Sequence, residues 1–275
     1  MKVALTIAGS DCSGGAGIQA DLKTFLMHGV YGMSVVTALT AQNTTGVYGV
    51  VEPEPAFLAS QLDCAFQDIF PDAVKIGMMP SAQAVQVTAE KLRRYRPAHI
   101  VIDPVMVSTS GRCLMSAQAK ETAQQELFLL AEVLTPNLPE AEALIGHPIT
   151  SRADTEAVAA ELSQRYGCAI LLKGGHRVTD ADDLLWQAGQ GTWLSGVKVD
   201  NPNAHGTGCT LSSAIAANLA NGLDLFQAVR AAKAYLTAAL RAGLDLGRGP
   251  GPLDHTLGGR TKRTQAFFDF LEEQS

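Results

Sequence analysis

A cysteine at the start of a predicted helix is the residue of this sequence best placed to take part in a reaction. Residues 205–209 read HGTGC and lead directly into the small and apolar run TLSSAIAANLA. Glycine at positions 206 and 208 lets backbone amides come close to a ligand, and the unpaired amides of a first helical turn carry a partial positive charge. This pattern is typical of a phosphate-binding turn.

Cys209 falls in the first turn of that helix. A helix dipole lowers the pKa of a thiol in this position, so we expect Cys209 to ionise more readily than a free cysteine. The alternative is a small buried apolar side chain, which is the usual role of an unpaired cysteine. Because glycines at a helix start are otherwise costly, the pattern favours the functional interpretation.

Two carboxylates and a lysine follow predicted strands. Asp103 closes HIVID, Glu140 lies in TPNLPE, and Lys173 ends AILLK. Open α/β sheets bind ligands at the carboxyl ends of their strands, and oxygen ligands suit Mg²⁺, which keeps much of its hydration. Asp103 could instead form an Asx turn, Glu140 could simply suit a helix N-terminus, and a strand-end lysine is often solvated.

A second glycine-rich segment, GSDCSGGAGIQADL, covers residues 9–22. Its GAGIQA matches the dinucleotide-binding fingerprint, which also requires an acidic residue about 20 residues further on. That region reads TALTAQNTT, and the first carboxylate after it is Glu52. The sequence therefore disfavours an NAD site, and a glycine-rich turn packed against the sheet is as compatible with this segment as a ligand loop.

The elements that position these residues alternate between short apolar runs and longer helical patterns. The runs predict strands at 3–9, 33–41, 73–79, 99–106, 132–137 and 168–175. The patterns between and after them predict helices at 16–28, 55–68, 81–94, 116–126, 138–145, 153–166, 208–221 and 224–242. Residues 182–187 and 192–199 resemble an antiparallel hairpin at the sheet edge. This order predicts a doubly wound α/β fold with a mostly parallel sheet.

Composition excludes several classes of function. The chain has 275 residues, of which 47% are hydrophobic and 17% charged, and a formal net charge of −6. It has no long run of like charges that would bind nucleic acid, and no apolar run of the roughly 18 residues that a membrane span needs. Its five cysteines are dispersed without a CxxC pair. We expect one domain over residues 1–275, in the cytoplasm.

Taken together, these segments resemble the ribokinase-like superfamily and, within it, the hydroxymethylpyrimidine/phosphomethylpyrimidine kinases of thiamine biosynthesis. The resemblance spans roughly residues 3–250 and rests on an ordered set of motifs. These are AGSDCSGGAGIQADLKTF, TALTAQNTTGV, KIGMM, IDPVMVSTSG, LTPNLPEAEAL, LLKGGH and HGTGCTLSSAIAANLA. The resemblance implies a three-layer α/β/α fold. It also implies ATP- and Mg²⁺-dependent phosphorylation of 4-amino-5-hydroxymethyl-2-methylpyrimidine to its monophosphate and then to the diphosphate.

The resemblance also implies roles for individual residues. Gly206, Thr207, Gly208 and Cys209 correspond to the anion hole, with cysteine where most sugar kinases of the superfamily have an aspartate base. Asn137 and Glu140 correspond to a motif that organises Mg²⁺ and phosphate, and Asp103 and Lys173 to other magnesium-side and phosphate-side positions. Substrate contacts are implied for Gly9, Ala16, Gln42, Met78, Val105 and Lys233. Asp21 has a family-like position without an assignable role, and many relatives are dimers.

Some residues depart from the family pattern, and alternatives stay open. Ala204 stands where members often have Thr, and Ser108 and Thr109 stand where they often have Lys after DPVMV. A pyridoxine or pyridoxal kinase shares this fold, although the amide of Gln42 suits an aminopyrimidine edge. An NAD-linked oxidoreductase and a non-catalytic sensor are the alternatives from other classes. His176 and His205 lack metal-like spacing, so we expect them to be structural hydrogen-bonding residues.

Overall fold

The computed structural model describes residues 1–108, 111–174 and 181–257. Nine strands form one sheet in the order β3-β2-β1-β4-β5-β6-β7-β8-β9. The strands are β1 Val3–Asp11, β2 Tyr31–Asn43, β3 Gly46–Val51, β4 Ala73–Ile76, β5 His99–Ile102, β6 Val133–Leu134, β7 Ala169–Leu172, β8 Asp183–Gln187 and β9 Gln190–Leu194. Strands β2, β1, β4, β5, β6 and β7 run parallel, and β3, β8 and β9 join antiparallel at the two edges.

Helices follow most of the strands. The α-helices are α1 Gly17–Met27, α2 Pro55–Gln67, α3 Ala82–Tyr95, α4 Ala117–Thr122, α5 Leu138–Ile145, α6 Arg152–Tyr166, α7 Thr207–Ala220 and α8 Leu225–Arg241. A side-chain cap starts α3, α4, α5, α6 and α8. Helices α1, α2 and α7 start without one, so first-turn amides of α1 and α7 are available to other partners.

Helices cover both faces of the sheet because successive strand residues point to opposite sides. Leu5 and Ile7 of β1 belong to an apolar cluster on one face, which includes residues of α2, α3 and α6. Ala4 of β1 belongs to the cluster on the other face, which includes Leu211 and Ile215 of α7 and residues of α8. The predicted mostly parallel sheet between two helical layers is therefore confirmed.

The antiparallel edge predicted for residues 182–199 is confirmed, although β9 is shorter than expected. Its turn consists of Ala188 and Gly189, both with positive φ angles of 51° and 78°. Two successive positive φ angles are what a two-residue turn needs to match the strand twist.

Several elements differ from the sequence-based expectation, and β4, β5 and β7 each end three or four residues earlier than predicted. Strand β3 was missed, because it reads GVYGVV and its ordering comes from pairing with β2 rather than from its own periodicity. The helix predicted over 116–126 is α4 followed by a π turn at Ala123–Leu127 and a 3₁₀ turn at Phe128–Leu130. Strand β6 stops at Leu134, two residues before Pro136, which has no amide to donate to a ladder.

Within the described ranges, every helix is too short or too polar to cross a membrane.

Candidate active site

The two glycine-rich segments, far apart in sequence, touch each other at the carboxyl end of β1. Gly206 has a φ of +86°, and a Cβ built there would lie 1.9 Å from the carbonyl oxygen of Gly15. A Cβ on Gly15 would in turn lie 2.4 Å from the ring of His205. Only glycine permits this approach. The starts of α1 and α7 therefore meet in one place.

The start of α7 has the geometry of an anion-binding turn. Gly206 precedes the helix, and the first α-helical bond runs from the Thr210 amide to the Gly206 carbonyl at 2.9 Å. The amides of Gly208 and Cys209 come before that bond, in the part of a helix whose donors lack intrahelical acceptors. The predicted phosphate-binding turn thus has available donors and the favourable end of the helix dipole.

The sequence predicts a lowered pKa for the Cys209 thiol, and this prediction is wrong, because the pKa is raised. Burial is the largest influence and raises the pKa, which reaches about 11, and the charges of Asp21 and Asp103 act in the same direction. The ammonium of Lys75 and the nearby Gly17 amide lower the pKa but do not outweigh burial. The resting protein therefore holds a protonated thiol at neutral pH.

Asp103 and Lys173 form a buried ion pair at the ends of β5 and β7. Asp103 Oδ1 accepts hydrogen bonds from Lys173 Nζ at 2.7 Å and from the Thr135 hydroxyl at 3.1 Å. Lys173 Nζ lies 3.9 Å from Glu140 Oε2. Burial lowers the pKa of Lys173, but Asp103 and Glu140 outweigh it and raise the pKa above the ordinary value. Lys173 is therefore a cation at any physiological pH.

Glu140 caps the start of α5. Its carboxylate accepts the Asn137 amide at 2.8 Å, and the Asn137 side chain accepts the Glu140 amide at 2.8 Å. Burial is the main cause that raises the pKa of Glu140 to about 7, Asp103 adds to it, and Lys173 opposes it. The alternative of a helix-start carboxylate is thus realised, and it is compatible with a second role towards a metal.

The carboxylate oxygens of Asp103 and Glu140, near Lys173, suit an open magnesium site. Among the residues that the structure describes, no group of three or more His, Cys, Asp or Glu side chains is placed to hold a metal ion. Mg²⁺ does not need such a group, because it keeps several waters and takes ligands from substrate phosphates. Asp103 and Glu140 fit that pattern.

Gly208 joins the anion-binding turn to the charged pair. A Cβ built on Gly208 would lie 3.1 Å from Asp103 Oδ2 and 3.4 Å from Lys173 Nζ. The absence of a side chain therefore brings the helix start directly against these charges. A phosphate in front of α7 would meet amide donors and a fixed ammonium together.

Gly9 and Met78, predicted as substrate contacts, lie side by side at the ends of β1 and β4. A Cβ on Gly9 would lie 3.0 Å from Met78 Sδ. The Thr37 hydroxyl donates to the Met78 carbonyl at 2.7 Å, which fixes the backbone there. Val105 is tied to the charged pair, since its amide donates to the Asp103 carbonyl at 2.8 Å.

Gln42 and Ala16 share a network centred on Asp11. Asp11 Oδ2 accepts the Ala16 amide at 2.9 Å and lies 2.8 Å from His205 Nε2, and the Gln42 amide nitrogen lies 3.2 Å from the same imidazole nitrogen. Burial raises the pKa of Asp11, but hydrogen bonds from His205, Ser13 and Ala16 outweigh it and bring it to about 2. Asp11 is therefore a carboxylate that orients His205, as expected for a structural hydrogen-bonding histidine.

The described contacts of Lys233 are with residues other than the predicted substrate contacts. Its ammonium donates to the Ala181 carbonyl at 2.6 Å and to the Asp183 carboxylate, at the start of β8. These bonds do not link it to Gly9, Gln42 or Met78, so its substrate role stays a prediction. His176 and Thr109 fall outside the described residues, as does the tail from residue 258 onwards.

Sequence reasoning missed two charged residues next to the site. Asp11 ends β1, where the argument applied to Asp103 also holds, and it organises the first glycine turn. Lys75 is the charged residue of the strand AVKI and is fully buried. A lysine in an otherwise apolar strand requires a buried partner, and that signal was available in the sequence.

Comparisons with known proteins agree with this geometry. A family model described as phosphomethylpyrimidine kinase matches residues 11–254. A hydroxymethylpyrimidine/phosphomethylpyrimidine kinase from Rhizobium meliloti is 48% identical over 92% of this chain and 96% of its own length. The thiamine biosynthesis bifunctional protein of Geobacter sulfurreducens is 47% identical over 92% of this chain, which spans about half, 52%, of that protein.

Solved structures share the three-layer fold. A phosphomethylpyrimidine kinase from Clostridium difficile has a TM-score of 0.79 and 44% identity, with 87% of this chain and 99% of that chain covered. A pyridoxal kinase from Staphylococcus aureus, solved with pyridoxal, has a TM-score of 0.86 and 33% identity, with 94% and 95% covered. The family model, the full-length relatives and the site geometry lead to the same assignment. The chain belongs to the phosphomethylpyrimidine kinase family.

Proposed function

We propose that this protein is an ATP- and Mg²⁺-dependent kinase that phosphorylates 4-amino-5-hydroxymethyl-2-methylpyrimidine and then the resulting monophosphate to the diphosphate, in thiamine biosynthesis. The observation that carries the proposal is the anion-binding turn of α7, placed by Gly208 against Asp103 and Lys173. The family and its named relatives supply the substrate.

Phosphoryl transfer depends mainly on positioning and on neutralising charge. In the proposed reaction the segment Gly206, Thr207, Gly208 and Cys209 holds the transferring group. The amides of Gly208 and Cys209 are its donors, because the Thr207 amide donates to the Ala204 carbonyl at 3.3 Å. Lys173 adds a permanent positive charge beside it. Asp103 and Glu140, with Asn137 supporting Glu140 through the capping box, would hold Mg²⁺, which would neutralise phosphate charge.

Cys209 lies at the reacting hydroxyl in this proposal. Because its thiol is protonated in the resting protein, its main contribution is to shape the anion hole and to offer a weak hydrogen bond. Only the small thiolate fraction could accept the hydroxyl proton, so proton transfer to sulfur is a minor contribution.

The pyrimidine ring would lie beside Gly9, Ala16, Gln42, Met78 and Val105. An amide such as that of Gln42 offers both a donor and an acceptor to an aminopyrimidine edge. Met78 and Val105 supply apolar surface for the two faces of the ring. The proposal also includes the contact between Lys233 and the substrate that the resemblance implies.

The decisive experiment is incubation of the protein with ATP–Mg²⁺ and the pyrimidine, followed by mass detection of products. We expect the monophosphate first and the diphosphate later. Failure to consume ATP in the presence of the pyrimidine would favour a non-catalytic sensor and overturn the proposal.

A pyridoxal kinase activity is the second candidate, favoured by the 0.86 TM-score to the Staphylococcus aureus enzyme. The two activities are separated by kcat/KM for the pyrimidine and for pyridoxal, measured side by side. We expect the pyrimidine to be preferred, and a higher value for pyridoxal would reverse the assignment.

We also propose that the chain acts as one domain over residues 1–275 and forms a homodimer. Support for the dimer comes from exposed apolar side chains of β2 and β3, namely Leu39, Tyr48 and Val51. Such surface is typical of a protein interface. Light scattering on the purified protein tests it, with a mass of one chain as the contrary result.

A further inference from the structure

A fully buried ion pair lies beneath the candidate active site. Lys75 Nζ donates to both oxygens of Asp21, at 3.0 and 2.8 Å, and both side chains are 0% exposed. The same carboxylate accepts the Thr6 hydroxyl and the Ser213 hydroxyl, each at 2.6 Å. A buried charge needs this many partners, since an unpaired one is strongly destabilising.

The four residues belong to four different elements. Thr6 lies on β1, Asp21 on α1, Lys75 on β4 and Ser213 on α7. Gly77, just after β4, leaves room for the ammonium, because a Cβ there would lie 2.8 Å from Lys75 Nζ. One carboxylate therefore connects two neighbouring strands and two helices.

The two helical members lie one turn from the ends that form the anion-binding turn. Asp21 follows Gly17 by four residues, and Ser213 follows Cys209 by four residues, so each pair shares a helix face. The Gly17 amide lies near enough to the Cys209 thiol to lower its pKa. The Ser213–Asp21 hydrogen bond thus joins α7 to α1 one turn from the point where both helices begin.

We propose that Asp21, held by Lys75, is a positioning residue that locks the start of α7 against α1 through Ser213, and so fixes the phosphate-binding amides for the kinase reaction. The inference rests on the proposed function. Its physical basis is that donors aimed at developing charge are most effective when they need not reorganise. A small displacement of such donors is costly for the rate.

Thr6 supplies a matched control. Its hydroxyl donates to the same carboxylate at the same 2.6 Å distance, but from β1, which does not carry the phosphate-binding amides. Ser213→Ala and Thr6→Val each remove one buried hydroxyl donor from Asp21 and leave the Lys75 pair intact. Their costs to stability should therefore be similar, and only Ser213→Ala frees α7.

The first measurement compares kcat, KM for ATP and the melting temperature of the two variants. We expect Ser213→Ala to lower kcat about tenfold, while Thr6→Val keeps kcat within about twofold of the unaltered protein. We expect the melting temperatures of both to fall by similar amounts. Equal kcat values in the two variants would overturn the proposal. If Ser213→Ala does not fold, Ser213→Cys, which retains a weak donor, replaces it in the same comparison.

The second measurement needs no turnover. Amide hydrogen exchange in the absence of substrate should be faster over residues 206–210 in Ser213→Ala than in Thr6→Val. Identical exchange there in both variants would contradict the positioning role, even if the enzyme is active. If the unaltered protein phosphorylates no pyrimidine but the two variants still differ in exchange, the proposed function is refuted and the positioning of α7 remains supported.

Discussion

Cys209 illustrates at the scale of one residue how competing influences set a thiol's state. A helix start in general favours the thiolate, and the ammonium of Lys75 does so here, whereas burial and the carboxylates of Asp21 and Asp103 favour the thiol. Burial prevails, and the pKa rises to about 11. Cys209 therefore differs from the low-pKa cysteines that act as nucleophiles at helix starts.

Replacement of Cys209 by alanine tests its role in the proposed reaction. A general base typically contributes at least about a hundredfold to the rate, so we expect a protonated thiol to cost less than about tenfold in kcat when removed. Cys209→Ser, which keeps a small donor, is the control and should lie closer to the unaltered protein. A loss above a hundredfold in the alanine variant would assign the base role to Cys209 after all.

Glu140 should make the stability of the metal-free protein depend on pH. Its folded pKa of about 7 lies above the ordinary value of 4.5, so the folded state retains a proton that the unfolded state has lost. The stabilisation is full below pH 4.5 and is lost as pH rises through 7. We expect Glu140→Gln, which preserves a capping-box side chain, to remove a decline on the order of 3 kcal/mol across this window.

The measurement is urea unfolding at several pH values between 4.5 and 8. Glu121→Gln, an exposed change of the same type on α4, controls for the altered net charge. A slope that persists unchanged in Glu140→Gln would show that another group is responsible.

At the scale of elements, the absence of a side-chain cap distinguishes the starts of α1 and α7 from most other helices. Asn137, Ser151 and Asp224 use their side chains to satisfy first-turn amides. Gly206 cannot, so the amides of Gly208 and Cys209 remain available to a ligand. The same lack of a side chain allows Gly206 to approach the Gly15 carbonyl.

Alanine substitutions of two glycines at opposite ends of α7 can separate the effect of backbone strain from the effect of damage to the candidate site. Gly206 and Gly222 have nearly equal φ values of +86° and +89°, but a Cβ on Gly222 would meet nothing within 4 Å. Alanine at either position costs about 1–2 kcal/mol of strain. We expect Gly206→Ala also to displace the first-turn amides and to lower kcat about a hundredfold, whereas Gly222→Ala keeps full activity.

Melting temperatures and kcat of both variants, measured together, check this prediction. Equal activities at equal stability would mean that the contact between Gly206 and Gly15 is unimportant for catalysis.

At the scale of the whole molecule, the sheet order assembles the site from distant parts of the chain. The parallel strands β1, β4, β5 and β7 end at one edge, which brings together Gly9, Met78, Asp103 and Lys173. Ligands of open α/β sheets bind at such an edge. The two glycine-rich turns, in residues 9–22 and 205–209, meet at that edge although they are far apart in the sequence.

Ligand-induced stabilisation distinguishes this site from a dinucleotide site. A ligand at a hundred times its Kd adds about 2.7 kcal/mol, which corresponds to several degrees in the melting temperature of a chain this size. We expect ATP–Mg²⁺ to raise the melting temperature and NADH to leave it unchanged. A shift with NADH alone would restore the oxidoreductase interpretation of GAGIQA.

The sequence by itself determined the features that depend on local chemistry. The apolar runs predicted the parallel strands, and the glycines before Cys209 predicted an anion-binding helix start. Asp103, Glu140 and Lys173 were placed at one sheet edge because strand ends are readable from the pattern. Strand β3 was not predicted, since its formation depends on pairing with β2.

Only the tertiary structure decided the properties that depend on residues distant in the sequence. It showed that Gly15 and Gly206 touch, that Lys75 and Ser213 share Asp21, and that burial raises the pKa of Cys209. A helix dipole acts within its own first turn and can be read from the sequence. Burial and the charges of other elements depend on packing, and here they outweighed the dipole.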